Sequence, residues 1–117
     1  PEGQRGPTHT SLNHHAAEAV FLYRIAAMTG EESYAVMADR MVRGIEVTAS
    51  RWIKPNHDLH YSYRPDGTWG GTDYPDLTYY DLIELQRLYT ARHGTANGAL
   101  TRLIASKKSW MQAQGVL

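Results

Sequence analysis

The chain has no cysteine and a single phenylalanine among its 117 residues. The first absence excludes disulfides and thiol chemistry, and says little about compartment. No apolar run approaches the roughly 20 residues that cross a bilayer as a helix. Basic and acidic residues balance at 12 each, so the net charge is zero. A neutral chain with no basic run does not point to nucleic acid or to an anionic membrane. There is no phosphate-binding loop, no GXSXG and no glycine-rich dinucleotide fingerprint. The chain opens at Pro1 with no leader-like segment. That reads as a piece of a longer protein whose upstream portion lies outside this sequence. What replaces phenylalanine is tyrosine, eight against one. A tyrosine offers a flat apolar face and a polar tip, which suits a wet helix interface or a carbohydrate cleft.

Two long helical patterns flank a short, crowded middle. Residues 1–10 carry no periodicity and read as an N-terminal arm or linker, and 11–117 as one helical unit. The first helix is expected from about Leu12 to Met28 and stops at Thr29-Gly30. Leu12, Ala16, Ala19, Val20, Tyr23 and Ala27 form one apolar stripe, and Phe21, Leu22, Ile25 and Met28 a second. Two stripes predict burial on two sides, as in an array of helices. The next helix runs from Glu31–Glu32 to about Trp52, with Tyr34, Met37, Met41, Ile45, Thr48 and Trp52 inward. Asp39, Arg43, Glu46 and Ser50 fall on its solvated face.

A third helix is expected to be capped by Thr78, with Asp81 completing a weak capping box. Leu82, Leu85, Leu88 and Tyr89 form its inner stripe. A fourth helix begins near Thr95 or Asn97, with Leu100, Leu103, Ile104 and Met111 inward and Lys107 and Lys108 outward. The fold class is therefore all-α: two αα-hairpins forming part of an α/α toroid. A free four-helix bundle is the alternative.

The middle, Asp58–Thr78, concentrates the polar chemistry. Leu59–Tyr63 alternates like a strand. Pro65-Asp66-Gly67 is a turn, and Thr68–Trp69 returns as a second strand of a small β-hairpin. Tyr61 and Tyr63 share one face of such a strand, and His60 takes the other. A tyrosine beside a positive charge can act as general acid or, as phenolate, general base, and Arg64 is one source of that charge. The alternative is that these rings simply cap the core. His14-His15 and His57/His60 fit no standard zinc spacing, so no metal and no cofactor is expected.

Four blocks, in order, resemble the C-terminal α-helical domain of D-glucuronyl C5-epimerases. Ser11-Leu12-Asn13 opening a helix is similar to the family's FLNG or VLNG entry. Thr29-Gly30-Glu31 leads into a Tyr34–Ile45 helix like its second helix. Tyr61-Ser62-Tyr63-Arg64 resembles its YDLR segment. Asp73-Tyr74-Pro75, then Thr78 and Leu82–Leu88 with Gln86 inside, resembles DYHTTHINQLQLL. A third family tyrosine, in an EYP segment, has no counterpart, because that place reads Pro1-Glu2-Gly3. His14 follows Asn13 where the family has glycine, and Pro75 stands for the histidine of DYH.

The resemblance implies an isomerase that removes and returns the C5 proton of a uronic acid residue within a polysaccharide. Tyr61 and Tyr74 would be the acid/base residues. Arg64 would hold the carboxylate, with Asn13, His14, Tyr63 and Trp69 as further substrate contacts. A uronate lyase shares the first step. A non-catalytic helical carbohydrate-binding or capping module, with tyrosines and Trp69 stacked on sugars, is the reading from a different class. The expected partners are the polysaccharide and either the upstream part of the same protein or a second copy of the chain.

Overall fold

The computed structural model describes residues 10–64 and 66–117. Four helices carry the fold: α1 (Leu12–Thr29), α2 (Glu32–Trp52), α3 (Leu77–His93) and α4 (Gly98–Ala113). Between α2 and α3 lie β2 (His60–Tyr63) and β3 (Trp69–Thr72), and β1 (Thr10–Ser11) precedes α1. The hairpin expected from sequence is present and gains a third strand, in the antiparallel order β1-β2-β3. Register pairs Ser11 with Ser62, Ser62 with Gly70 and Tyr63 with Trp69. The arm expected over 1–10 lies outside the described residues except for Thr10, whose backbone pairs with Tyr63. Pro65 of the expected turn is likewise outside them. Gly67 takes a φ of 89° there.

Local chemistry explains the helix ends. The Ser11 hydroxyl accepts the His14 N–H at 3.1 Å, and Asn97 Oδ1 accepts the Leu100 N–H at 3.0 Å. Gly30 and Gly94 close α1 and α3 in the left-handed conformation. The cap expected at Thr78 moves: α3 begins at Leu77 after Asp76, and Thr78 is buried in its first turn. Its hydroxyl donates to Asp73 Oδ1 at 2.6 Å. Asp81 closes no capping box, because it accepts a hydrogen bond from the Asn13 amide across to α1.

α1 packs on α2 and α3, and α4 packs on the same two. The core joins Leu12, Ala16, Ala19, Val20 and Tyr23 of α1 to Ala35, Ala38, Val42, Ile45, Ala49 and Trp52 of α2, with Leu82, Leu85, Leu100 and Leu103 beneath. Two expectations change here. Ile45 and Trp52 are buried on α2 as expected, but they are joined there by Ala35, Ala38, Ala49 and Val42, while Met37 is exposed. Small side chains let α1 and α2 approach, and the bulky residues are displaced to the flank. The second stripe of α1 is only partly covered: Leu22 packs against the core and Ile25 is half-buried, but Phe21 and Met28 are exposed.

Asp39 and Lys107 also depart from expectation. Asp39 is not on a free solvated face: it accepts from Tyr23 Oη at 2.6 Å and from Arg92 Nη2 at 2.9 Å, and His93 Nε2 lies 2.9 Å away. Lys108 is exposed as expected, but Lys107 is fully buried. A buried ammonium is tolerable only when anions and acceptors surround it, and Asp58 and Asp73 do so here.

Candidate functional site

The hairpin sits at one end of the helices because the chain on both sides of it is tied down. After α2, Lys54 and Asp58 bond to each other through the backbone, with His57 in a left-handed turn. The His57 carbonyl accepts from Ser106 of α4 at 2.7 Å. An isolated bridge joins Ile53 to Leu59. After β3, Asp73 is anchored by Thr78 and Lys107. These ties bring together residues from the two sides of the hairpin.

Tyr61 and Tyr74 meet edge to face, with ring centroids 5.8 Å apart. Tyr61 is half-buried and Tyr74 exposed. The charge that Tyr61 would carry, and the hydrogen bond the two phenols share, push the Tyr74 hydroxyl above the ordinary tyrosine value. Two adjacent phenols resist ionising together. Gly71, at φ 79°, lets β3 run against Tyr61; a Cβ there would stand 3.0 Å from the Tyr61 ring.

Arg64 is not brought into this pair. Its guanidinium folds over the hairpin, donating to Thr68 Oγ1 at 3.1 Å and to the Trp69 carbonyl at 3.3 Å. The space it fills is the one a Gly70 side chain would need, 1.9 Å from Nη2. It remains exposed to solvent there.

Tyr63 and Trp69 lie in a neighbouring feature. Trp69 is met edge-on by Trp52 at 4.7 Å and by Tyr63 at 4.8 Å between centroids, and His60 tilts against it at 5.3 Å. Burial, then the Lys54 charge, lower the His60 pKa below the ordinary histidine value. Trp52, Tyr63 and Trp69 form part of an open cleft of about 370 Å³ whose other walls include His15, Thr48 and Arg51. Trp52 Nε1 donates to Thr48 Oγ1 at 2.9 Å, which fixes the indole. Arg51 is exposed and makes no ion pair or hydrogen bond among the described residues.

Of the other expected contacts, Asn13 is occupied by Asp81. His14 is exposed, with its backbone in the Ser11 cap. His15, one position on, faces the cleft, with Nε2 3.0 Å from the Met41 carbonyl. Arg51 was therefore missed as a cleft residue, and of the His14-His15 pair it is His15, not the expected His14, that enters the cleft. A helix wheel placing Trp52 inward would have put Arg51 beside it, but only the fold shows that the hairpin stops short of covering it. No group of three or more histidine, cysteine, aspartate or glutamate side chains suited to a metal ion occurs among the described residues. No described helix is long and apolar enough to cross a membrane. Comparison with family models, curated proteins and solved structures finds no match to this chain.

Proposed function

We propose that this chain is the C-terminal helical portion of a uronyl C5-epimerase-like enzyme, and that Tyr61 and Tyr74 move protons at C5 of a uronic acid residue in a polysaccharide. The observation that carries the reading is the Tyr61–Tyr74 contact, made by two tyrosines from opposite sides of the hairpin. One phenolate takes the C5 proton, and the electron pair of the C–H bond moves onto the carboxylate. The other phenol returns a proton to the opposite face. Tyr74, whose hydroxyl ionises above the ordinary range, suits the donor role. Inversion needs the phenols on opposite faces of the sugar, so their shared hydrogen bond opens as a pyranose enters. The enolate-like intermediate needs a cation at the carboxylate, and Arg64 supplies it by leaving the hairpin, where Thr68 and the Trp69 carbonyl hold it loosely.

In full-length protein, Tyr61→Phe and Tyr74→Phe are each expected to abolish exchange of the C5 hydrogen of a uronate polymer with deuterated solvent. Full exchange in both variants would sink the assignment. Elimination at C4 after the same first step would appear as an unsaturated product.

The second reading is a carbohydrate-binding module without chemistry. It is favoured by the cleft, where Trp69 and Tyr63 offer faces for a sugar ring and Arg51, without an ion pair among the described residues, a cation for its carboxylate. Glycan binding by the unmodified protein with no C5 exchange would decide for it. Both readings fit a toroid in which these two hairpins are consecutive members and a preceding hairpin, or a second copy, covers Phe21 and Met28 of α1.

A further inference from the structure

Lys107 is the largest side chain completely buried in the described structure. Its Nζ lies 2.6 Å from Asp58 Oδ1 and 2.8 Å from Asp73 Oδ2, and donates to the Tyr74 carbonyl at 2.8 Å. The Trp110 ring closes another side, 4.4 Å from Nζ. These partners belong to two segments. Asp58 leads into β2, which carries Tyr61, and Asp73 and Tyr74 follow β3 directly. Each carboxylate is itself fixed: Asp58 Oδ1 accepts the Leu59 N–H at 2.8 Å, and Asp73 Oδ1 accepts the Thr78 hydroxyl at 2.6 Å. One ammonium on α4 thus sets the spacing between the two segments that bear the phenols. Stability alone does not call for it, since apolar side chains often replace buried ion pairs without loss. What an apolar side chain cannot supply is the directed hydrogen bond to the Tyr74 backbone.

We propose that Lys107 is a positioning residue for the tyrosine pair: it holds Tyr74 against Tyr61 and transfers no proton itself. The use of that geometry at a sugar rests on the epimerase-like reading above, but the positioning does not.

The test follows Tyr74 by NMR, with ¹³C at tyrosine Cζ and the signal assigned through Tyr74→Phe. Because Tyr61 is the chief cause of the raised Tyr74 ionisation, Tyr61→Phe should lower the Tyr74 titration in the natural chain. Lys107→Met alone leaves two buried carboxylates without a cation, so it is combined with Asp73→Asn, which preserves the local net charge. In that background Tyr61→Phe is expected to leave the Tyr74 titration unchanged. If the pair of substitutions unfolds the chain, adding Asp58→Asn gives an uncharged site for the same comparison. An equal drop with and without Lys107 would overturn the proposal, as would no drop in the natural chain. A purely structural lysine would lower the melting temperature and leave the coupling intact. C5 exchange is not read in this experiment. Its absence would therefore count against the proton-transfer reading and leave the positioning role standing.

Discussion

Arg92 shows how much a single side chain can organise. It bonds Asp39 through Nε and Nη2 and reaches Glu32 from the same guanidinium, while Tyr23 donates to Asp39 from α1. Burial would raise the Asp39 carboxyl, but hydrogen bonds from Arg92, Tyr23 and His93 together hold it below the usual range. Hydrogen bonds to Arg87, working against burial and joined by Arg24, take Glu84 down to about 2. A carboxyl depressed in the folded state stabilises above its unfolded value, and that contribution is lost as pH falls through the folded value. Asp73 and Asp81, raised by burial against their bonds, act in the opposite sense: ionising them as pH rises costs stability. Arg92→Ala is therefore expected to lower unfolding stability by about 2 kcal/mol at neutral pH, the scale of hydrogen bonds to a charged group. The difference from the natural chain should shrink in acid, once Asp39 is protonated. Urea unfolding at the two pH values measures both. Asp39 was legible in the sequence only as a surface position. Its three partners come from α1 and the end of α3, too far along the chain for periodicity to connect.

At the scale of an element, the hairpin depends on two adjacent glycines for different reasons. Gly71 has a φ of 79°, and a Cβ there meets Tyr61 Cβ and Cδ2 at 3.0 Å. Gly71→Ala is expected to cost about 1–2 kcal/mol from the left-handed backbone alone, and to disturb the Tyr61 ring. The three atoms nearest a Cβ at Gly70 all belong to the Arg64 guanidinium, the far end of an exposed side chain. Gly70→Ala should be mild by comparison and release Arg64 from the hairpin. Thermal unfolding of the two variants, with the order of their losses reversed, would contradict this account. As a sequence pair, Gly70-Gly71 reads as a hinge or a close backbone approach. Nothing in the sequence separates the two, because which glycine carries the positive φ depends on the register with β2. The stripe on α2 also shifts. Tyr34, Met37 and Met41 are the bulkier residues, but Ala35, Ala38 and Ala49 are the ones buried in the core, beside Ile45 and Trp52 of the expected stripe.

At the scale of the molecule, the second apolar stripe of α1 is the unmet demand. Met28 is 84% exposed and Phe21 60%. The toroid proposal supplies a neighbour for them. In a longer protein containing a preceding hairpin, Met28 should react slowly with peroxide, and in the 117-residue chain rapidly. Equal rates in both, read by mass spectrometry of the Met28 peptide, would remove that neighbour. Protection that instead rises with the concentration of the short chain would assign the face to a second copy.

The sequence by itself determined the four helices, most of their ends and the hairpin between them. Those features follow from capping residues, glycines and apolar spacing, which act over a few positions. It also singled out Tyr61 and Tyr74 as partners, through a resemblance rather than through spacing. Only the tertiary structure decided that their rings touch and that Arg64 lies on the hairpin away from them. It alone showed that Arg51 borders the aromatic cleft and that His15 does so in place of His14. It also turned Lys107 from an expected surface charge into the buried link between the two tyrosine-bearing segments. The physical reason is that a lysine on a helix is read as solvated until two carboxylates, 49 and 34 positions earlier in the chain, are found at its ammonium.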